Sequence, residues 1–466
     1  MKTFWLKVAG FAVVVLGLII LVTVFLPSKP PPIEEPESHR QPQEGGPQAE
    51  EAPNPKVDYV AKINDLDKAG RDESLNAAPF YQKAVELYVE MPEEVKKFAR
   101  QSWPTDLSAE QQLLLKEWVQ SNSQALSELE QGTSRSYSWL QRSSKDGTAM
   151  GILMPELSDF RGLCFAVRGR AKLAAVEGSL DKAVADTVTC YRFGLHVSDS
   201  PILIEQLVGI AIRAIALDTA FEILARAKAA EAWMKSLQSQ IEQLSIDESL
   251  IPDMRAEKFR LLDVIQRIFT DDGKGDGRIH MESANRMLSE GGTDSEEAMQ
   301  SLQKYGRRET TEAVEKLFEY CEFSVRKTPW QWRNENINPR KEIEKITKDN
   351  VFIRMLFPAY VRVAEVFARC RAHTDALTTT LALLRYKAHE GQFPEKLDEL
   401  VSAGYLKALP IDSFGGGPLV YKQLGEDFML YSCGEDCDDD GGTRSRWGGG
   451  EQGGDQVFWP VERNSR

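Results

Sequence analysis

The segment from Arg168 to Asp199, RGRAKLAAVEGSLDKAVADTVTCYRFGLHVSD, decides the fold class of this chain. Small and apolar residues fill the stretch before Gly178, a short turn follows, and Ala183 and Tyr191 lie on a second helical stretch. A glycine commonly ends a helix, and small residues let two helices approach closely. The segment therefore predicts two helices that pair as a hairpin.

The flanking segments extend this helical pattern. The next stretch, IEQLVGIAIRAIALDTAFEILARA, is apolar on most faces, which predicts a helix at the centre of the core. Upstream, SAEQQLLLKEWVQSNSQALSELEQG predicts a helix from an N-cap at Ser108 to Gly132. The hairpin resembles the tetratricopeptide type of repeat, but one unit alone is clear, so we expect a helical-hairpin array without a family assignment. Residues 57–350 are thus predicted to be mostly α.

Composition excludes several classes of function. The chain has 466 residues and a formal net charge of −14, so it is long enough for two or three domains but strongly acidic. Because nucleic acids and anionic lipid surfaces attract clustered Lys and Arg, we expect no nucleic-acid partner and no docking on lipid headgroups. Six cysteines are too few for a fold built on disulfides.

The N-terminal residues 1–26 predict a cytoplasmic stub and a signal anchor. The run from Val8 to Leu26 has no charge, and a helix of that length, at about 1.5 Å per residue, nearly spans a hydrocarbon core of about 30 Å. Lys2 and Lys7 precede it and favour a cytoplasmic N-terminus. We therefore expect residues 8–26 to cross the cell inner (cytoplasmic) membrane once, with a periplasmic or otherwise extracytoplasmic body. A cleaved signal peptide is the alternative, although no small-x-small cleavage site follows.

Residues 27–56 are rich in Pro and Glu and poor in apolar residues. Such a segment cannot bury enough surface to offset the entropy lost on ordering. It is predicted to be an extended linker that precedes the folded body.

The loop 272–283 carries part of an EF-hand pattern. With Asp272 at position 1, Asp276 falls at position 5, and helical sequence lies on both sides. Lys274, however, stands where an oxygen ligand is expected, and Ser283 replaces the bidentate Glu of position 12. A weak or vestigial calcium site at Asp272 and Asp276 and a plain Gly/Asp-rich turn are equally open interpretations.

The stretch between Pro358 and Gly391 predicts the longest helix of the chain. Apolar and small residues recur along it at spacings of three and four, which indicates one face of a core helix more than a coiled-coil seam. These residues are Tyr360, Val363, Phe367, Cys370, Thr374, Leu377, Leu381, Leu384 and Ala388.

Beyond this helix come RYKAHEGQFP (Arg385 to Pro394), LDELVSAGYLKALPIDSFG, and three short apolar runs, PLVYKQ, DFMLYS and QVFWPV. The order resembles the globular part of the major pseudopilin of type II secretion systems, over roughly Val351 to Pro460. The resemblance implies a small α+β module within residues 351–466. The N-terminal segment departs from it, because Val15 stands where a pseudopilin helix carries Glu. The full layout also resembles uncharacterised bacterial membrane-anchored helical proteins.

The resemblance further implies that the acidic loop binds calcium and staples the last strands. The loop contains GEDCDDDGG, Gly434 to Gly442. Crowded carboxylates in a glycine-rich loop repel one another, and calcium accepts six to eight oxygen ligands in flexible geometry. The alternative is a solvated acidic loop in which Cys433 and Cys437 form a disulfide. Four carboxylates are the candidate calcium ligands. The resemblance implies Asp436 and Asp455 by position, and Asp438 and Asp440 lie nearby in the sequence.

Enzyme motifs are not found in the sequence. The five histidines show no metal-ligand spacing, and neither a G-x-S-x-G elbow nor a phosphate loop occurs. We assign no catalytic residue and expect a membrane-anchored scaffold or protein-interaction module of the bacterial cell envelope, with an envelope protein as partner. The competing prediction is an envelope hydrolase with its site in the helical body. A deep polar pocket would favour the enzyme, and an exposed apolar groove would favour partner binding.

Overall fold

A computed structural model describes residues 52–99, 103–227, 230–245, 251–290, 300, 303–348, 350–357, 359–445 and 453–461. These residues are mostly helical, with a small sheet near the C-terminus, as predicted. The helices are α1 (Tyr59–Lys68), α2 (Ala78–Leu87), α3 (Glu93–Lys96), α4 (Ala109–Ser121), α5 (Ser123–Thr133), α6 (Glu156–Val176), α7 (Leu180–Ser198), α8 (Leu203–Arg226), α9 (Glu231–Ser245), α10 (Arg255–Ile268), α11 (Met281–Glu290), α12 (Arg307–Ser324), α13 (Pro329–Asn334), α14 (Pro339–Ile346), α15 (Val351–Leu356), α16 (Tyr360–Glu390) and α17 (Asp398–Ser402).

The predicted hairpin is formed by α6 and α7. Gly178, in the turn between them, has a φ of +79°, a left-handed conformation that glycine adopts without steric cost. Its neighbour α8 is buried along most of its length and packs against both helices. The centre of the helical body therefore lies where the apolar sequence of α8 predicted it.

The predicted helix from Ser108 to Gly132 is two helices in the structure. Ser108 does cap α4, in a capping box with Gln111, but this helix ends at Asn122 before α5 begins. Asn122 is fully buried, and its side chain exchanges hydrogen bonds with the backbone N–H and carbonyl of Val89. A tertiary contact therefore ends the helix where local propensity would continue it.

The C-terminal module is built on the end of α16, which stops at Gly391 in a left-handed conformation (φ +80°), as predicted. Three strands follow, β1 (Val420–Leu424), β2 (Asp427–Ser432) and β3 (Gln456–Trp459), at the predicted apolar runs. They form an antiparallel sheet in the order β1-β2-β3, with an irregularity between Leu430 and Tyr431.

Two apolar cores share α16. Its second half, with Leu377 and Leu381 fully buried, lies in a main core that joins the helical body to the C-terminal module. Its first half, with Val363 and Phe367, lies in a second core with residues of α8, α10, α12 and α15. The apolar stripe of α16 is thus a core face from Tyr360 to Leu381, whereas Ala388 is exposed.

The prediction of a transmembrane helix is contradicted, because none of the described helices is both long and apolar enough to cross a bilayer. Even α8, whose length would suffice, carries Glu205, Arg213 and Asp218, and a bilayer core disfavours such charges. The predicted span 8–26, the stub before it and linker residues 27–51 lie outside the described residues. Linker residues 52–56 are in neither helix nor strand.

Candidate functional site

In the acidic C-terminal loop, three of the four predicted ligands lie along one stretch of backbone, residues 453–455. The two carboxylate oxygens of Asp436 accept hydrogen bonds from the backbone N–H groups of Asp438 (3.2 Å) and Gly454 (3.1 Å). A Cβ on Gly453 would collide with the Asp436 carboxylate and lie 3.6 Å from Oδ2 of Asp440. Asp455, next to Gly454, is fully buried and accepts a 2.7 Å hydrogen bond from Gly442. Asp436, Asp440 and Asp455 therefore converge on the Gly453–Gly454 backbone.

One oxygen of Asp455 is the feature of this loop that best fits a cation. Its Oδ1 is buried and has no hydrogen-bond donor among the described residues. Burial raises the pKa of Asp455, the nearby backbone N–H groups of Gly442 and Asp440 partly oppose this, and the carboxylates of Asp439 and Asp440 raise the pKa further, so an added positive charge would be favourable there. Even so, no three His, Cys, Asp or Glu side chains of the described chain are placed around one possible metal position. Calcium at this loop stays a prediction.

Arginines of α13 and α16 already neutralise part of the loop. Arg333 of α13 donates to Asp438 Oδ1 at 2.7 Å and also to the carbonyl of Asp436. Arg362 of α16 donates to Glu435 at 2.8 Å, and Arg369 pairs with the same carboxylate. Asp438 is therefore turned toward an arginine, away from the cluster formed by the other three aspartates.

Cys433 and Cys437 are free thiols in the structure. Burial raises the pKa of Cys433 to about 12 and that of Cys437 to about 11, so both are protonated near neutral pH. The alternative disulfide is not present in the described loop.

The EF-hand-like loop is a turn between α10 and α11. Asp272 Oδ1 accepts hydrogen bonds from the backbone N–H groups of Lys274 (2.7 Å) and Asp276 (2.9 Å). Asp276 Oδ1 in turn accepts from Gly277 at 2.8 Å and from Arg308 at 3.3 Å. These bonds lower the pKa of both carboxyl groups. Backbone amides thus occupy one oxygen of each carboxylate, and calcium at Asp272 and Asp276 stays a prediction.

The helical body contains a cavity of about 910 Å³, which we call the arginine cleft. Five arginines line it: Arg71, Arg135, Arg192, Arg213 and Arg255. Two aspartates, Asp199 and Asp253, also line it, which leaves three net positive charges in a chain of net charge −14. Sequence analysis did not single out these residues.

Three helix C-termini meet at the cleft, and arginines bind carbonyls at two of them. The residues that follow α1, α5 and α7 all line the cavity. Arg192 donates to the carbonyl of Thr133 at 3.2 Å, and Arg71 donates to that of Asp199 at 2.9 Å. A helix C-terminus carries about half a negative charge, so these three ends and the carboxylate of Asp67, which pairs with Arg71, together leave a small positive excess.

The arginines differ in how far protein carboxylates neutralise them. Arg71 is paired with Asp67 and Asp199, and Arg255 with Asp253. In contrast, the contacts of Arg135 and Arg192 in the described chain are with backbone carbonyls and, for Arg135, with the ring of Phe80. These two guanidinium groups carry charge that an anionic ligand could neutralise.

The floor of the cleft holds a buried arginine and a buried histidine. Arg213, which is 0% exposed, donates to the Tyr191 hydroxyl at 3.0 Å and lies over that ring. Nδ1 of His196 is 2.6 Å from the hydroxyl of Tyr81. Burial lowers the pKa of His196 to about 4, and the charges of Arg192 and Arg71 act in the same direction. The imidazole is therefore neutral near pH 7.

One local signal did point to this floor. Arg213 is the one charged residue between Glu205 and Asp218 in an otherwise apolar helix. A charged side chain on a buried helix face must be paired with another group or must belong to a functional site, so Arg213 indicates a candidate site. No comparable signal exists for Arg71, Arg135, Arg192 or Arg255, which lie in separate elements.

No family model, no curated protein and no solved structure matches this chain, so the likenesses to pseudopilins and to tetratricopeptide repeats stay predictions.

Proposed function

We propose that this protein is an interaction module whose helical body binds an acidic segment of a partner protein in the arginine cleft. The observation that carries the proposal is the excess of positive charge in a large cavity of a strongly acidic chain. Arginine presents planar, multidentate donors that match carboxylates, and clusters of arginine are a recurring mode of acidic-motif recognition.

Charge contrast also supports this use of the cleft. A cavity lined by more positive than negative side chains attracts anions, while the surrounding negative charge of the chain disfavours anions elsewhere on the surface. Arg135 and Arg192 supply donors whose charge no protein carboxylate neutralises in the described chain. Binding there would form charge-assisted hydrogen bonds without first breaking an ion pair.

The contacts in the cleft support binding over hydrolysis, the competing prediction. A hydrolytic site needs a nucleophile hydrogen-bonded to a base. In the cleft, the hydroxyl of Ser198 donates to the Leu195 carbonyl. Ser200 with Glu205 and Tyr81 with His196 do pair a hydroxyl with a base, but all four side chains are at most 8% exposed and so are closed to a substrate. These hydroxyl groups are committed to structural partners, and the cleft offers cations more than a base.

The test is the binding of a short oligoglutamate peptide to the full chain, measured by fluorescence anisotropy against an uncharged oligoglutamine peptide. We expect the glutamate peptide to bind and its affinity to fall as salt is added. Replacing both Arg135 and Arg192 by Gln should weaken binding by at least about a hundredfold, since each hydrogen bond to a charged group contributes about 1.5–3 kcal/mol.

Arg371→Gln is the matched control, because Arg371 is exposed on α16 and does not line the cleft. It should leave the affinity unchanged. Equal binding of both peptides, or equal loss of binding in the control, would contradict the proposal.

A further inference from the structure

We propose that the partner segment is amphipathic: acidic residues bind the arginines, and apolar residues beside them bind a hydrophobic wall of the same cleft. This inference rests on the proposed function and assigns the class of peptide that the cleft accepts.

The cationic part of the cleft is formed by the end of α1, the residues after α5, and α7. Arg71 and Arg135 come from the first two, and Arg192 from the third. Arg71 and Arg192 are tied at their guanidinium groups to the carbonyls of Asp199 and Thr133. Because the fold already orients these side chains, little side-chain entropy remains to be lost when a carboxylate binds.

The remaining lining supplies an apolar surface. Leu244, half-buried at the end of α9, lines the cavity, whereas Ile210 of α8 and Phe367 of α16, which also line it, are only 6% and 4% exposed. Ile251 joins them, and it is 41% exposed, which leaves a large aliphatic side chain in contact with solvent at the cleft. Burying that surface against an apolar ligand group would be favourable.

The size of the cleft favours a peptide segment over a single small anion. Its volume of about 910 Å³ lies near the upper end of the range of about 300–1,000 Å³ that is typical of ligand pockets. A single inorganic anion would contact the arginines and leave Leu244 and Ile251 uncovered. A chain of several residues contacts both surfaces at once.

The ion pair between Arg255 and Asp253, beside the apolar lining, limits where the acidic residues of the ligand can bind. Arg255 donates to both oxygens of Asp253, and the backbone N–H of Asp253 donates to the Gln206 side chain at 3.0 Å. Arg255 is therefore already neutralised, so the acidic residues of the ligand are expected near Arg135 and Arg192.

The experiment compares two short peptides of equal charge on the full chain. One alternates Glu with Leu, and the other alternates Glu with Ser. The Glu–Leu peptide is expected to bind about tenfold more tightly than the Glu–Ser peptide. Ile251→Ser should reduce that ratio several-fold, whereas the double replacement of Arg135 and Arg192 by Gln should weaken both peptides by a similar factor.

Leu153→Ser is the matched control, because Leu153 is 67% exposed and does not line the cleft. It should leave the ratio unchanged. If both peptides bind with equal affinity, or if Ile251→Ser has no effect on the ratio, the inference is overturned while the proposed function stands. If neither peptide binds, the proposed function fails as well.

Discussion

At the scale of single residues, His196 shows how the floor of the arginine cleft controls protonation. Its pKa is lowered from 6.5 to about 4 by burial and by the charges of Arg192 and Arg71. The unfolded chain therefore binds a proton at this residue between pH 6.5 and 4, and the folded chain does not. Stability from this group is fully present above pH 6.5 and is lost as pH falls toward 4.

We expect the free energy of unfolding to fall by up to about 3 kcal/mol over that pH range on account of His196. His196→Gln should flatten the pH dependence by this amount, measured by urea unfolding at several pH values. Asp67, whose pKa burial raises to about 6, acts in the opposite direction, so the difference between variant and wild type isolates the histidine. His389→Gln, at an exposed position of α16, is the control and should keep the wild-type slope. The prediction is wrong if both variants give the same slope.

A second prediction at this scale concerns Asp455 in the acidic loop, whose buried Oδ1 has no hydrogen-bond donor in the described chain. If calcium binds Asp455 with Asp436 and Asp440, stability should rise by about 2.7 kcal/mol at a hundredfold excess of calcium over its Kd. The joint replacement of Asp436 and Asp455 by Asn should abolish the gain, measured as the melting temperature of the full chain with and without chelator.

Asp272→Asn with Asp276→Asn is the control for this measurement, because the second acidic loop could produce a similar shift. Melting that chelator does not change, with no calcium found by elemental analysis, would leave the C-terminal loop held by Arg333, Arg362 and Arg369.

At the scale of elements, α7 and α8 approach so closely that their backbones touch at two glycines. A Cβ on Gly194 would lie 2.8 Å from the carbonyl oxygen of Gly209, and one on Gly209 would lie 2.6 Å from that of Gly194. A backbone cannot move aside as a flexible side chain can. The crossing of these helices, which places Arg192 and Arg213 in one cavity, therefore depends on both glycines.

Gly209→Ala should destabilise the protein by about 1–3 kcal/mol, although alanine is normally the better helix former by about 1 kcal/mol. Gly169→Ala in α6 is the matched control, since its nearest neighbours are side-chain atoms of Val119 at 3.0 Å and Leu115 at 3.4 Å. Thermal unfolding of both variants measures the difference. Equal stabilities would show that the crossing tolerates a methyl group.

At the scale of the whole molecule, α16 makes the helical body and the C-terminal module interdependent. Leu381 is fully buried in the main core, which contains Leu217 of the body and also Phe428 and Trp459 of the module. Neither part has a complete core without this helix. The predicted domain boundary at residue 350 therefore divides the sequence, whereas the main core contains residues from both sides of it.

We expect the described body and module to unfold in one transition, with far-ultraviolet circular dichroism and tryptophan fluorescence giving the same midpoint in urea. Leu381→Ala should lower the free energy of unfolding by about 2–5 kcal/mol in both signals, because it leaves a cavity in the shared core. Leu153→Ala, at an exposed position, should change it by less than about 0.5 kcal/mol. Two separate transitions would contradict the shared core.

The sequence by itself determined the features that depend on neighbours along the chain. Turn glycines and caps, such as Gly178, Ser108 and Gly391, predicted where helices begin or end, and short apolar runs predicted the three strands. These signals are local because a cap or a turn is satisfied within a few residues. Where a distant contact competes, as Val89 does for Asn122, the local signal was wrong.

The tertiary structure alone decided the arginine cleft and the arginine pairing of the acidic loop. The cleft arginines lie in separate elements, and Arg333, Arg362 and Arg369 lie far in sequence from Glu435 and Asp438. Electrostatic pairing depends on distance in space, and no periodicity along the chain records which helix ends will meet. A net charge of −14 therefore predicted an acidic molecule, while the packing of α7 against α8 placed positive charge in its cavity.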